Sequence, residues 1–259
     1  RVNIHTPKGI VRGVFGWPAI HVRKGKDANL APTLENIFID VGAKDKKEVE
    51  ELGIHVGCVI TYDDGYEEIN KKCFIGRALD NRLGGYCIAE VARKLFEEKI
   101  KLPYSLYVVN SVQEEVGLHG ATMIAQTIRP DVAIITDVTH DTSTPLIDAK
   151  QEGDVRLGLG PALTYAPSVH RKLLQLIEEA AQVNNIPFQR VASSRSTGTD
   201  TDAFAYANGG IPSALISIPL RYMHTTVEMA HFEDISHLIN LISASLQQIK
   251  SGHNFKYFD

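Results

Sequence analysis

The stretch Ser111-Val112-Gln113-Glu114-Glu115-Val116-Gly117-Leu118 sets two adjacent carboxylates at the end of an apolar run. That run, Leu106-Tyr107-Val108-Val109, has the composition of a buried strand, and Gly117 breaks the chain before a helical pattern. Open α/β sheets place their chemistry at the carboxyl ends of strands. Neighbouring side chains diverge there, so one carboxylate can face a metal ion while the other faces a water. The chemistry suggested is hydrolysis by a metal-activated water. Three further donors fall at element ends. Asp80 lies in Gly76-Arg77-Ala78-Leu79-Asp80-Asn81-Arg82, a turn before a long helix, and Asp137 closes the run Val132-Ala133-Ile134-Ile135-Thr136. His224 follows a strand end marked by Pro219, in Leu220-Arg221-Tyr222-Met223-His224. All are oxygen or imidazole donors with no cysteine in the pattern, which suits zinc, cobalt, manganese or nickel rather than a thiolate site. Carboxylates and an imidazole converging at strand ends can hold two ions about 3.5–4 Å apart, with one carboxylate bridging.

Each residue also has an ordinary reading. Asp80 suits a helix N-cap, Glu114 and Glu115 suit solvated loop charges, Asp137 suits a turn, and a lone histidine such as His224 is usually a surface group. The joint placement of all of them at strand and turn ends is what favours a site. Thr199-Asp200-Thr201-Asp202 precedes an apolar helical segment and reads as a cap with first-turn acids. His140 lies just past Asp137, and His170 reads as a surface residue at a helix start. A nucleophilic serine finds no G-x-S-x-G turn, and Gly-rich phosphate loops are absent.

The elements that must position these groups change character along the chain. Residues 1 to about 70 hold short β-prone pieces, Gly9 to Phe15, Asn36 to Val41 and Val56 to Ile60, with a charged segment Lys44 to Leu52 that suits one short helix. From Phe74 onward the pattern alternates. Leu83, Cys87, Val91 and Leu95, with Ile88, Ala92 and Phe96 alongside, make a helical stripe over 82–98. Strands are expected at 104–112, 131–137 and 211–218, and helices at 118–128, 167–184, 200–207 and 234–250, with Pro167 in the first turn of its helix. Alternation of this kind predicts an α/β fold with a mostly parallel central sheet and helices on both faces. The reading is two domains, 1–70 and 71–259.

Composition narrows the classes of function. The 259 residues suffice for a substantial core, and a net charge of −4 without a basic block argues against nucleic acid or an anionic membrane as partner. Three scattered cysteines, Cys58, Cys73 and Cys87, form no C-x-x-C pair and point to a reducing, cytoplasmic setting. No apolar stretch reaches the length of a membrane span.

Five motifs in order carry a family resemblance: Ala78-Leu79-Asp80-Asn81-Arg82-Leu83-Gly84, Gln113-Glu114-Glu115-Val116-Gly117, Thr136-Asp137-Val138, Gly198-Thr199-Asp200 and Arg221-Tyr222-Met223-His224. Together with Pro7-Lys8-Gly9-Ile10-Val11 they make nearly the whole chain resemble the M42 metallopeptidases, the glutamyl and tetrahedral (TET) aminopeptidases. The resemblance implies a zinc-peptidase-like catalytic domain and, in residues 1–70, most of a PDZ-like β-barrel used for oligomer contacts. It implies two divalent ions, zinc or cobalt, bridged by Asp80, with Glu115 and His224 completing one site and Asp137 serving the other. Glu114 would be the general base on a metal-bound water, and Thr199 and Asp200 would lie on the substrate side. Peptides would lose their N-terminal residues, and subunits would join in a homo-oligomer such as a tetrahedral dodecamer.

The family's remaining ligand is a histidine in a His-x-Asp motif upstream of the small module, and no His-x-Asp occurs here. The chain opens on Arg1, so the expectation is that an N-terminal segment is missing and that one metal site is incomplete. An inactive or scaffold-like subunit is therefore the alternative to the peptidase. A glycoside hydrolase is weaker, because its two carboxyls must flank a sugar bond about 5–9.5 Å apart and adjacent Glu114 and Glu115 do not.

Overall fold

The computed structural model describes residues 1–25, 31–255 and 257, which fall into two compact units, Arg1–Gly65 and Tyr66–Asp259. Residues 26–30, inside the module expected at 1–70, lie outside the described residues.

The first unit contains β1 (Val2–Thr6), β2 (Gly9–Gly16), β3 (Phe38–Asp40), α1 (Lys46–Glu51) and β4 (Val59–Tyr62). The four strands form one antiparallel sheet in the order β3-β2-β1-β4. Gly9, at φ 121°, makes the β1–β2 turn possible, because a side chain is strained in that conformation. Register sorts the side chains. Val2 faces Gly13 and Tyr62, and Ile4 faces Val11 and Ile60, so these residues share one face, on which Val2 and Ile4 are buried. The other face carries Ile10, Val14 and Val59, all exposed. Asp45 caps α1 by accepting the Glu48 N–H at 3.0 Å. Among the described residues the sheet is open, with β3 and β4 at its edges, and no closed barrel forms.

The second unit runs β5 (Glu67–Ile69), β6 (Cys73–Gly76), α2 (Leu79–Glu97), α3 (His119–Ile128), β7 (Ala133–His140), α4 (Ala149–Glu152), β8 (Ala162–Tyr165), α5 (Arg171–Val183), β9 (Gln189–Ala192), α6 (Asp200–Ala205), β10 (Ser213–Leu220), β11 (Glu228–His231) and α7 (Phe232–Gln248). Its main sheet has the order β7-β10-β8-β9, with β7 and β10 parallel, β10 and β8 antiparallel, and β8 and β9 parallel. The sheet is thus mixed, because β8 runs against β10. A second sheet, β11-β6-β5, is antiparallel. Helix α7 packs against both α2 and α5, while α3 packs against α6. Every residue of β10 is buried, as a continuous Ala-Leu-Ile-Ser-Ile run covered on both faces should be. The core gathers Leu163, Leu173, Ile177, Ile216, Leu238 and Leu241. The α2 stripe behaves as expected at Leu83, Cys87, Val91 and Leu95, but Phe96 turns outward and is 84% exposed.

Other expectations fail in this unit as well. Residues 104–112 form no strand, because an apolar run becomes a strand only when a neighbour supplies backbone partners, and β7 pairs with β10 alone. Leu106, Tyr107 and Val108 are exposed accordingly. Helix α5 starts at Arg171, so Pro167 precedes it instead of occupying its first turn. His170 is at the N-cap position and is part-buried, stacked on Tyr257 with ring centroids 4.3 Å apart. Three free cysteines remain unpaired with one another, and no described helix is long and apolar enough to cross a membrane.

Candidate metal centre

Asp80 is placed by an interrupted helix start. Ala78 adopts the left-handed conformation, Asp80 and Asn81 are non-helical, and the Asp80–Asn81 peptide bond is cis. Asn81, not Asp80, caps the regular part of α2, accepting the Gly84 N–H at 2.9 Å. The Asn81 amide also donates to the Thr136 carbonyl at 2.8 Å, which ties the helix start to β7 one residue before Asp137. Gly84 permits this approach: a Cβ there would lie 2.5 Å from Asn81 Oδ1 and 2.6 Å from Thr136 Oγ1.

Glu114 and Glu115 sit in a turn rather than at a strand end. The Glu114 carbonyl accepts the N–H groups of Gly117 and Leu118, both at 3.0 Å, and Gly117 takes the φ of 124° that the turn requires. His224 lies in a tight loop closed by paired hydrogen bonds between Arg221 and Met229, of 3.0 and 3.1 Å. Arg221 is anchored in turn by fully buried Asp141 just past β7, Nε to Oδ2 at 2.7 Å. Burial alone would raise the Asp141 pKa, but hydrogen bonds from Ser143 and Arg221 outweigh it and hold the carboxyl below its ordinary range.

These supports bring three side chains together. His224 Nε2 is 2.9 Å from Asp80 Oδ2 and 3.5 Å from Glu115 Oε2. One donor atom from each of the three lies within 4.8 Å of the other two. Asp137 stands outside this triplet, buried, with Oδ1 accepting its neighbour's Val138 N–H at 2.8 Å. Burial first, then the charge of Glu115, pushes the Asp80 carboxyl up to about 6, against the pull of His224. Glu114 rises to about 7 through burial and the charges of Glu115, Asp200 and Asp80. Asp137 rises to about 8 through burial, opposed by the Val138 N–H and reinforced by Asp80, Glu114 and Asp200. The acids therefore repel one another in a partly dehydrated space, and a divalent cation is the charge that offsets this. Two carboxylates and an imidazole in mutual reach, with no thiolate, fit zinc or cobalt.

Asp80, Glu114, Glu115, Asp137 and Asp200 all line one cleft of about 2300 Å³. Asp200 accepts a hydrogen bond from the Ser111 hydroxyl through Oδ2, while its buried Oδ1 has no partner, and burial raises its pKa. The Thr199 hydroxyl is engaged as the cap of α6, accepting the Thr201 N–H at 3.2 Å. Asp202 joins that cap by accepting the N–H groups of Thr197 and Gly198, at 2.9 and 3.0 Å. His140 is exposed at the end of β7 and outside the triplet. Glu228 joins the site although it lies in none of the five motifs. It is 2% exposed, and its two carboxylate oxygens accept the backbone N–H groups of Asp80 and His224, each at 3.0 Å. The one available signal was spacing, a glutamate four residues after the candidate histidine.

The chain belongs to the M42 glutamyl aminopeptidase family, whose model matches residues 1–241. It is 35% identical over 256 residues to the lysyl aminopeptidase of Pyrococcus furiosus, covering 96% of this chain and 70% of that protein. Its structure is similar to that of a TET aminopeptidase from a marine sediment Thaumarchaeota archaeon, with a TM-score of 0.90 at 29% identity over 96% of this chain and 70% of the other. The TET1 peptidase of Pyrococcus horikoshii, which can assemble into a tetrahedron or a large octahedral shell, matches with a TM-score of 0.79 at 29% identity over 94% and 70% of the two chains. The relatives are aminopeptidases, so this is a hydrolase family acting on peptide N-termini.

Proposed function

We propose that the chain hydrolyses the first peptide bond of peptides at a co-catalytic pair of divalent ions, zinc or cobalt, with Glu114 as general base. The observation that carries the reading is the convergence of Asp80, Glu115 and His224 within 4.8 Å, with Glu114 adjacent in sequence and facing the same cleft. Asp80, Glu115 and His224 would hold one ion. Among the described residues Asp80 and Asp137 are the groups that would serve a second, which leaves that site short of ligands. When bound, the ions acidify the attacking water and polarise the scissile carbonyl. Glu114, half-buried beside three acids, takes the proton of the attacking water and delivers it to the leaving amine. Asp200 lines the same cleft, and its carboxylate near Glu114 suits the α-ammonium of a peptide N-terminus. Thr199 supports Asp200 by capping its helix.

Residues 1–65, the smaller unit, serve assembly, and we extend to this chain the shell-forming habit of the Pyrococcus horikoshii peptidase. The test of the catalytic reading is Glu114→Gln. Turnover of aminoacyl-p-nitroanilides should fall about 10²–10⁴-fold while bound metal, measured by atomic emission, stays at the wild-type level. An active, metal-loaded variant removes Glu114 from the role.

A further inference from the structure

Glu228 stands where the two metal-site segments meet. Strand β11 pairs with β6 so that Glu228 lies opposite Gly76, four residues before Asp80. On its other side, Glu228 follows His224 by four residues in the closed loop. The side chain is 2% exposed, and each oxygen accepts one backbone N–H, from Asp80 and from His224, at 3.0 Å. His224 itself is held at φ 60°, a conformation that L side chains seldom take, and the bond to Glu228 fixes its backbone there. No basic side chain pairs with Glu228 among the described residues. Its charge is thus buried beside a cluster of acids, with only neutral amides as partners.

We infer that Glu228 is a positioning residue of the metal centre: a single buried carboxylate that sets the distance between the Asp80 and His224 backbones and adds negative charge behind the cation they hold. The inference rests on the metal reading above and deepens it. A hydrogen-bond acceptor behind the ligands is the kind of group whose loss weakens metal binding without removing a ligand. Glutamine at this position has one acceptor oxygen, so one of the two N–H groups loses its partner and meets an NH₂ instead.

The test is cobalt chloride titration of the metal-free full chain, followed by calorimetry and by the visible spectrum of bound Co(II), for wild type, Glu228→Gln, Glu228→Asp and Asp234→Asn. Asp234 is the control. It is equally buried and also accepts two backbone N–H groups, from Gly158 and Gly160 at 2.7 and 2.8 Å, but it is not one of the acids that perturb Asp80. Glu228→Gln should bind cobalt about 10–100-fold more weakly with an altered spectrum. Glu228→Asp, which keeps both acceptor oxygens, should recover part of the affinity. Asp234→Asn should lose thermal stability yet bind cobalt as wild type does. Wild-type affinity and spectrum in Glu228→Gln overturn the inference, as does an equal loss in Asp234→Asn. Failure of both Glu228 variants to fold where Asp234→Asn folds assigns the residue to the fold alone and also overturns it. A wild-type chain that takes up no cobalt would defeat the metal reading itself, a distinct result.

Discussion

At the scale of single residues, the acids of the centre impose a pH dependence whose direction can be worked out. Asp80, Glu114 and Asp137 carry pKa values of about 6, 7 and 8 in the folded chain, against ordinary values of 3.8 for aspartate and 4.5 for glutamate. Between the ordinary value and the raised one, the folded state keeps a proton that the unfolded chain has released. Stability is therefore greatest below the ordinary values and declines as pH climbs through the raised ones. The chelated protein should melt at a lower temperature at pH 8 than at pH 5. Cobalt chloride should restore most of the loss at pH 8 and little at pH 5, where protonated carboxyls are poor ligands. Scanning fluorimetry in matched ionic strength reads both. A melting temperature that is flat from pH 5 to 8, or an equal response to cobalt at both, would show that the acids do not share one charged space. The residues of this cluster were legible in sequence because each stands at the end of an apolar run or in a turn, where side chains are free to converge. Glu228 was not, because it acts on backbone N–H groups, and those leave no trace in residue type.

Elements decide whether those residues meet, and the tightest joint is the start of α2 against β7. The near-zero space at Gly84 means that Gly84→Ala must push the Asn81 side chain or Thr136 aside, breaking the hydrogen bond that ties Asn81 to the Thr136 carbonyl. Overpacking of this kind costs about 1–3 kcal/mol. The same displacement moves Asp80 relative to Asp137, so weaker metal binding should accompany the loss in urea denaturation. A variant with wild-type midpoint and metal content would show that α2 has slack at this joint. Sequence periodicity located the long elements well: α2, α3, α5, α7, β7 and β10 all fall near their expected places. It missed β5, β6, β8, β9 and β11, of three or four residues each, which are too short to display a period. Yet β6 and β11 are what bring Asp80 and His224 onto one carboxylate. The expected strand at 104–112 failed for the converse reason. Leu106-Tyr107-Val108-Val109 has strand composition, but composition cannot say whether a neighbouring strand is there to pair with it.

For the whole molecule, the question is what covers the apolar residues on the second face of the first unit's sheet. In the first unit Ile10 and Val59 both lie opposite His5, forming one row across β2, β1 and β4, and they are 60% and 63% exposed. They flank the exposed imidazole of His5, and in the assembly proposed for this unit a neighbouring subunit would cover both aliphatics. Strand β4 is also an edge, where an inserted lysine opposes docking of another chain. Val59→Lys should therefore shift sedimentation from a multi-subunit species to a smaller one at micromolar protein. Because the side chain is already largely in water, the fold itself should lose no more than about 0.5 kcal/mol. If the active site is complete within each subunit, hydrolysis of a dipeptide substrate should persist in the dissociated form. Assembly that survives Val59→Lys intact moves the contact elsewhere on the molecule, and a wild-type chain that sediments as a monomer removes the shell proposal altogether.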